Sequence, residues 1–201
     1  MNREDYDKLF KDNGKKEKAL ERAWHNRDFE IEFYWKRASY FWTFIAATFV
    51  GYLTLISSNN YNTNLKTVFP QIEYIILCLG LVFSIAWILV NIGSKHWFEN
   101  WETHIDLLED SITGPIYKVV RKELSFSVTK INLFISIFVT LIWLTLIVRY
   151  LFYNNILNFY WILITLLTLA VIILMICKIG RTKTSNKEYK LYQREFTVVE
   201  I

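Results

Sequence analysis

Residues 74–111, YIILCLGLVFSIAWILVNIGSKHWFENWETHIDLLEDS, read as one helix that outruns the layer it crosses. The first half is nearly all apolar, and the second is charged but keeps a helical pattern. At 1.5 Å per residue the run is about 57 Å long, whereas a hydrocarbon core takes about 30 Å. Roughly 25 Å is therefore expected to project beyond the membrane. No strong breaker interrupts the run before Gly114-Pro115. Gly93, at the foot of the projection, is the expected hinge, because glycine weakens a helix by up to about 1 kcal/mol relative to alanine.

Three further apolar stretches, 39–58, 131–151 and 156–177, have the length of a membrane-crossing helix, and 73–94 is the crossing part of the long one. None has a charge in its central part. Of the 201 residues 53% are hydrophobic and 21% charged, and the charges lie outside the apolar runs. The expected fold is an all-α integral membrane protein with four transmembrane helices, the second extended into the cytoplasm. Its parts are a 1–38 amphipathic segment, a 39–177 membrane domain with a 95–130 connection, and a 178–201 tail. No signal peptide is expected, since 1–38 is charged throughout.

Lysine and arginine set the orientation. Segments 1–38, 95–130 and 178–201 hold 21 of them; only Lys66 and Arg149 lie on the other side. The positive-inside rule then places both termini and the 95–130 connection in the cytoplasm. Acidic residues nearly balance that basic side, so the net +4 points to no nucleic-acid partner. Cys78 and Cys177 fall near opposite faces, which argues against a mutual disulfide.

Residues 15–37 are expected to form an imperfectly striped helix through Ala19, Leu20, Ala23, Trp24, Ile31 and Trp35. Tyr34, Trp35, Lys36 and Arg37 at its end, and Trp161 at the other face, suit membrane-interface anchors, because amphipathic rings and long cations favour the headgroup zone. Ala47-x-x-x-Gly51 and Gly80-x-x-x-Ser84 are candidates for close helix packing. On the projection, Trp97, Trp101, Ile105 and Leu108 share a stripe with His104 at its edge. Two tryptophans there must be buried, against the amino-terminal helix or a neighbouring subunit. Glu99, Glu102, Asp106 and Glu109 are expected opposite, as a solvated acidic face or in ion pairs with the amino-terminal helix. The stripe, with Glu99 and Glu102, is the candidate oligomer or partner interface. Residues 116–130 suit a short amphipathic helix, and the terminal FTVVEI a weak strand.

Signals for chemistry are thin. His96-x-x-Glu99 is a single reversed copy of a ligand pair, so no metal site is expected. The six glycines form no phosphate-binding loop and no nucleophile elbow. The spans hold no central ionisable residue and no proline, which disfavours coupled transport. Thr43, Thr48, Ser84, Asn91, Thr140, Thr145, Thr165 and Thr168 are their polar content, suited to helix contacts or to lining a narrow pore.

The run YWKRASYFW at 34–42, followed by NIGSKHWFENWETHIDLLED at 91–110 and GPIYK at 114–118, resembles the RipA-type family of octameric bacterial cytoplasmic-membrane proteins. The resemblance implies a homo-oligomer of the inner membrane with a cytoplasmic assembly region. It brings no catalytic residue and no cofactor. The expected function is a non-enzymatic, cytoplasm-facing scaffold or docking platform whose partners are itself, membrane lipid and a cytoplasmic protein. The alternatives are an oligomeric pore or membrane-permeabilising effector, and a membrane enzyme using His96 and His104.

Overall fold

The computed structural model describes residues 3–10, 12–58, 71–119, 126–154 and 159–179. They form α1 (Arg3–Leu9), α2 (Asn13–Ser57), α3 (Ile72–Leu108), α4 (Val128–Tyr153) and α5 (Phe159–Leu174). A 3-10 turn, Glu109–Ser111, ends α3, and a π turn, Met175–Ile179, continues α5. No strand occurs among the described residues. α2, α3, α4, and α5 taken together with its π turn, are each long and apolar enough to cross a membrane. Residues 59–70, 120–125, 155–158 and the tail from 180, with its expected strand, lie outside the described residues.

α2 is one unbroken helix of 45 residues, although its composition changes from charged to apolar near Ser39. Asp12 caps it, its carboxylate accepting the Gly14 N–H at 3.1 Å. α2 and α3 run antiparallel along their whole length: Tyr52 meets Tyr74's cluster at one end, and Leu20 meets Ile105's at the other. Both exceed the apolar crossing, so their charged halves leave the membrane together as a two-helix arm. α4 packs on the crossing half of α3, and α5 leans on α3.

Two separate cores follow from this geometry. The membrane core gathers Leu77, Cys78, Leu81, Trp143 and Ile147 with Tyr52, Tyr74 and Tyr150. Trp143 is fully buried because Gly80 leaves room for it; a Cβ on Gly80 would overlap the indole ring. Phe49 stacks on the indole, with centroids 4.2 Å apart. Gly80 thus lies directly against α4, and Ser84, one turn on, is buried with its hydroxyl on the Leu81 carbonyl of its own helix. Ala47 is exposed and Gly51 has open space beside it, so this pair meets no helix among the described residues. The second core lies in the arm and is built on Tyr6, Leu20, Ala23, Ile105 and Leu108.

A buried polar web ties three helices where the arm meets the apolar region. Asn132 Nδ2 donates to Tyr34 Oη at 2.5 Å and to Asn91 Oδ1 at 3.1 Å. Arg37 donates to Ser94 Oγ at 2.7 Å and pairs with Glu30 at 3.2 Å. Tyr34 is only 4% exposed, and Arg37 turns inward. These two are interhelical struts, in contrast to the anchors expected; Trp35, 44% exposed, and Lys36, paired with Glu32 at 2.6 Å, do face outward. Trp161 packs edge-on against Tyr74 at 5.1 Å.

Two further expectations meet the structure here. α3 continues unbroken through Gly93, the expected hinge. At the start of the expected 116–130 helix, residues 116–118 form a turn, with Ile116 and Val119 71% and 75% exposed, and at its end Val128 begins α4; residues 120–125, between them, lie outside the described residues.

Candidate functional site, the projecting arm

The arm is shaped by what happens after Leu108. Three N–H groups, of Ile112, Thr113 and Gly114, donate to the Glu109 carbonyl at 2.9–3.0 Å. Gly114 adopts φ +77°, the left-handed conformation that glycine takes at little cost. The Glu109 side chain is completely buried, and Oε2 accepts the Tyr117 N–H at 2.9 Å. Glu109 therefore belongs to the interior of the turn, not to the acidic face expected of it. The turn sends the chain back along the arm and places Tyr117 against α2.

Tyr117 joins three elements. Its hydroxyl donates to Glu102 Oε1 at 2.5 Å. Its ring meets Trp24 edge-on at 5.3 Å and lies 5.4 Å under the Arg27 guanidinium. Arg27 also covers Trp24 at 5.6 Å and pairs with Glu102 at 3.7 Å. Burial, then the bond to Glu102, pushes the Tyr117 pKa up to about 12, so the phenol remains a donor at neutral pH. The ion pair expected between the acidic residues and the amino-terminal helix is thus found at Glu102. Glu99 pairs instead with Lys95 at 3.4 Å on its own helix.

The opposite side of the arm is closed by α1. Tyr6 is 2% exposed, and its hydroxyl bonds His104 Nδ1 at 2.7 Å. Burial lifts the Tyr6 pKa to about 12 and lowers that of His104, so the phenol donates to a neutral imidazole. Trp101 lies 5.6 Å from the His104 ring and packs on the arm core, as Ile105 and Leu108 do. Of the two coverings considered for this stripe, the amino-terminal part of the same chain supplies the one seen here. Trp97, half-buried, sits apart from that core beside His96, with centroids 5.9 Å apart.

The sequence signals missed α1 and Tyr6, because seven helical residues carry too short a stripe to read. They also missed Glu109 and Tyr117, whose roles depend on a chain reversal. The Gly114-Pro115 dipeptide announces that reversal but not its direction. Among the described residues no group of three or more His, Cys, Asp or Glu is placed to hold a metal ion.

The arm is a preformed extramembrane unit with its own core, and it presents no constellation of nucleophile, base and orienting group among the residues described. No curated protein and no solved structure matches the chain. A family model does match, over residues 17–152, taking in nearly all of the α2–α3 hairpin and α4 and leaving out α1 and α5. The matched stretch is more than half of the chain, and the chain belongs to the octameric membrane protein family (8xMP).

Proposed function

We propose that this protein is a non-enzymatic homo-oligomer of the bacterial cytoplasmic membrane, an octamer as its family description suggests, whose arms form a cytoplasmic scaffold or docking platform. The observation that carries the reading is the arm itself. Two helices leave the membrane together, with their own hydrophobic core and a cross-helix cluster of Trp24, Arg27, Glu102 and Tyr117. A solvent-exposed hairpin gains little from being so fixed unless something is built on it. Phe29, 47% exposed and stacked on Phe33 at 4.3 Å, offers an apolar contact on its outer side.

The uneven lysine and arginine distribution supports a cytoplasmic position for the arm. The hydroxyls of the spans support the scaffold over the pore: Thr43, Thr48, Thr140, Thr145, Thr165 and Thr168 each donate to a carbonyl one turn back on their own helix. Trp97 and the outer edges of Trp101, Glu99 and Glu102 are the parts of the stripe left to meet a second copy or a partner.

Cysteine chemistry tests both halves. In a Cys177→Ser background, Phe29→Cys should react with a membrane-impermeant maleimide only after the cells are opened. A bismaleimide should then give a ladder of cross-linked copies ending at eight. Labelling in sealed cells contradicts the orientation, and a single-copy band contradicts the scaffold.

A further inference from the structure

A groove of about 220 Å³ lies between α1, α2 and the arm half of α3. Ala19 and Ala23, one turn apart on α2, leave the space; Trp101 and Leu108 line it from α3, and Tyr6 lines it from α1. Its surface is mostly apolar; the polar side chains that line it are His104, the half-buried Asn26 and the exposed Arg22. The other arginines of α2 are engaged, Arg27 with Glu102 and Asp28 and Arg37 with Glu30. Among the described residues Arg22 has no ion pair, and the Asn26 amide has no hydrogen-bond partner. His104, whose Nδ1 accepts from the Tyr6 hydroxyl, also lines the groove.

An apolar slot with a few convergent polar groups is the usual form of a small-molecule site, and a volume below about 300 Å³ limits the guest to a compact one. The one charged side chain in the lining is the Arg22 guanidinium, which selects an anion and suits a planar carboxylate best. The half-buried Trp101 indole offers a flat apolar wall. His104 lies ten residues beyond Ser94, about 15 Å along the helix axis, out of reach of a headgroup held in the bilayer.

We infer that this groove binds a small soluble organic anion, an aromatic or short branched carboxylate, with its apolar body between Trp101 and the Ala19–Ala23 floor and its carboxylate on Arg22. Because α1 supplies Tyr6 to the site, occupancy bears on how firmly the amino terminus is docked. The inference stands apart from the scaffold reading, and its test leaves the oligomeric mass untouched.

The experiment is calorimetric titration of 2-naphthoate into the full-length protein in lipid nanodiscs, with empty discs as the blank. Saturable binding above the blank is expected. Arg22→Gln should weaken it about tenfold or more, the loss of one charge-assisted contact. Ala19→Phe, which fills the slot, should abolish it. The cation 2-naphthylmethylammonium, with the same ring, should not bind. Each variant should keep the native particle mass, so that loss of binding is separated from loss of fold. Heat indistinguishable from empty discs, equal binding of the cation, or an unchanged Arg22→Gln would each overturn the proposal.

Discussion

The Arg27 guanidinium lies 5.4 Å above the Tyr117 ring, and both side chains reach the same carboxylate, Glu102. This contact joins α2, α3 and the returning chain at a single point. Neither residue is within the membrane, so the rigidity of the arm depends on ordinary aqueous chemistry. Tyr117→Phe removes one hydrogen bond to a partly exposed carboxylate and should cost about 1 kcal/mol. Arg27→Ala removes the ion pair and the cover of two rings and should cost more, about 1–2 kcal/mol. Hydrogen exchange at residues 96–108 reads both. Equal protection in wild type and Arg27→Ala would show that the cluster is decorative.

Gly80 and Trp143 make a second prediction. An added methyl at Gly80 overlaps the indole, so Gly80→Ala should lower the thermal midpoint of the solubilised protein, with a penalty of about 1–3 kcal/mol. Trp143→Leu in the same chain should recover part of that loss, since the two changes share one space. Additive losses would mean that the clash is relieved elsewhere.

Asn132 donates to both Tyr34 and Asn91, so Asn132→Leu leaves two buried acceptors without their donor. The cost in a membrane interior is about 0.6–2 kcal/mol, because hydrogen bonds there are worth little more than in water. Asn132→Leu should loosen α4 from the α2–α3 pair before it affects the arm. Exchange that rises first in residues 14–30 would contradict this order.

Docking of α1 should depend on pH at both ends. Burial lowers the His104 pKa below its ordinary 6.5, so the docked state binds fewer protons than the undocked one as the medium becomes acid. That contribution is present above pH 6.5 and is lost as pH falls through the docked value. Tyr6 behaves in the opposite sense: its pKa rises from 10.0 to about 12, so its contribution is complete below pH 10 and is lost as pH climbs through 12. Asp7, paired with Lys16 at 3.6 Å, and Arg22 in the groove lining are the charged groups nearest this contact. A nitroxide at Leu9→Cys, in a Cys177→Ser background, should be immobile near pH 8 and mobile near pH 5. His104→Gln should flatten the acid limb. A label equally immobile at both values would remove His104 from the latch.

The membrane architecture was legible because hydropathy is a property of composition alone. Runs such as 73–94 and 131–151 sit inside α3 and α4 as read. The overlong α3 was legible for the same reason, since nothing in its pattern breaks. The continuity of α2 was obscured because a change from charged to apolar residues looks like a boundary. The inward turn of Tyr34 and Arg37 was not legible at all. A tyrosine and a cation at a membrane border have the same local pattern whether they face headgroups or an asparagine on another helix. Glu109 was hidden by its acidic neighbours, because only the reversal at Gly114 brings the Tyr117 N–H to it.

The native mass of the particle in mild detergent or native lipid discs tests the central claim most directly, because the arms are a platform only if several copies bring them together. After correction for bound detergent or lipid, the account predicts a protein mass eight times the 24.1 kDa of one chain. A homogeneous single-chain particle, still helical and still folded, would contradict it.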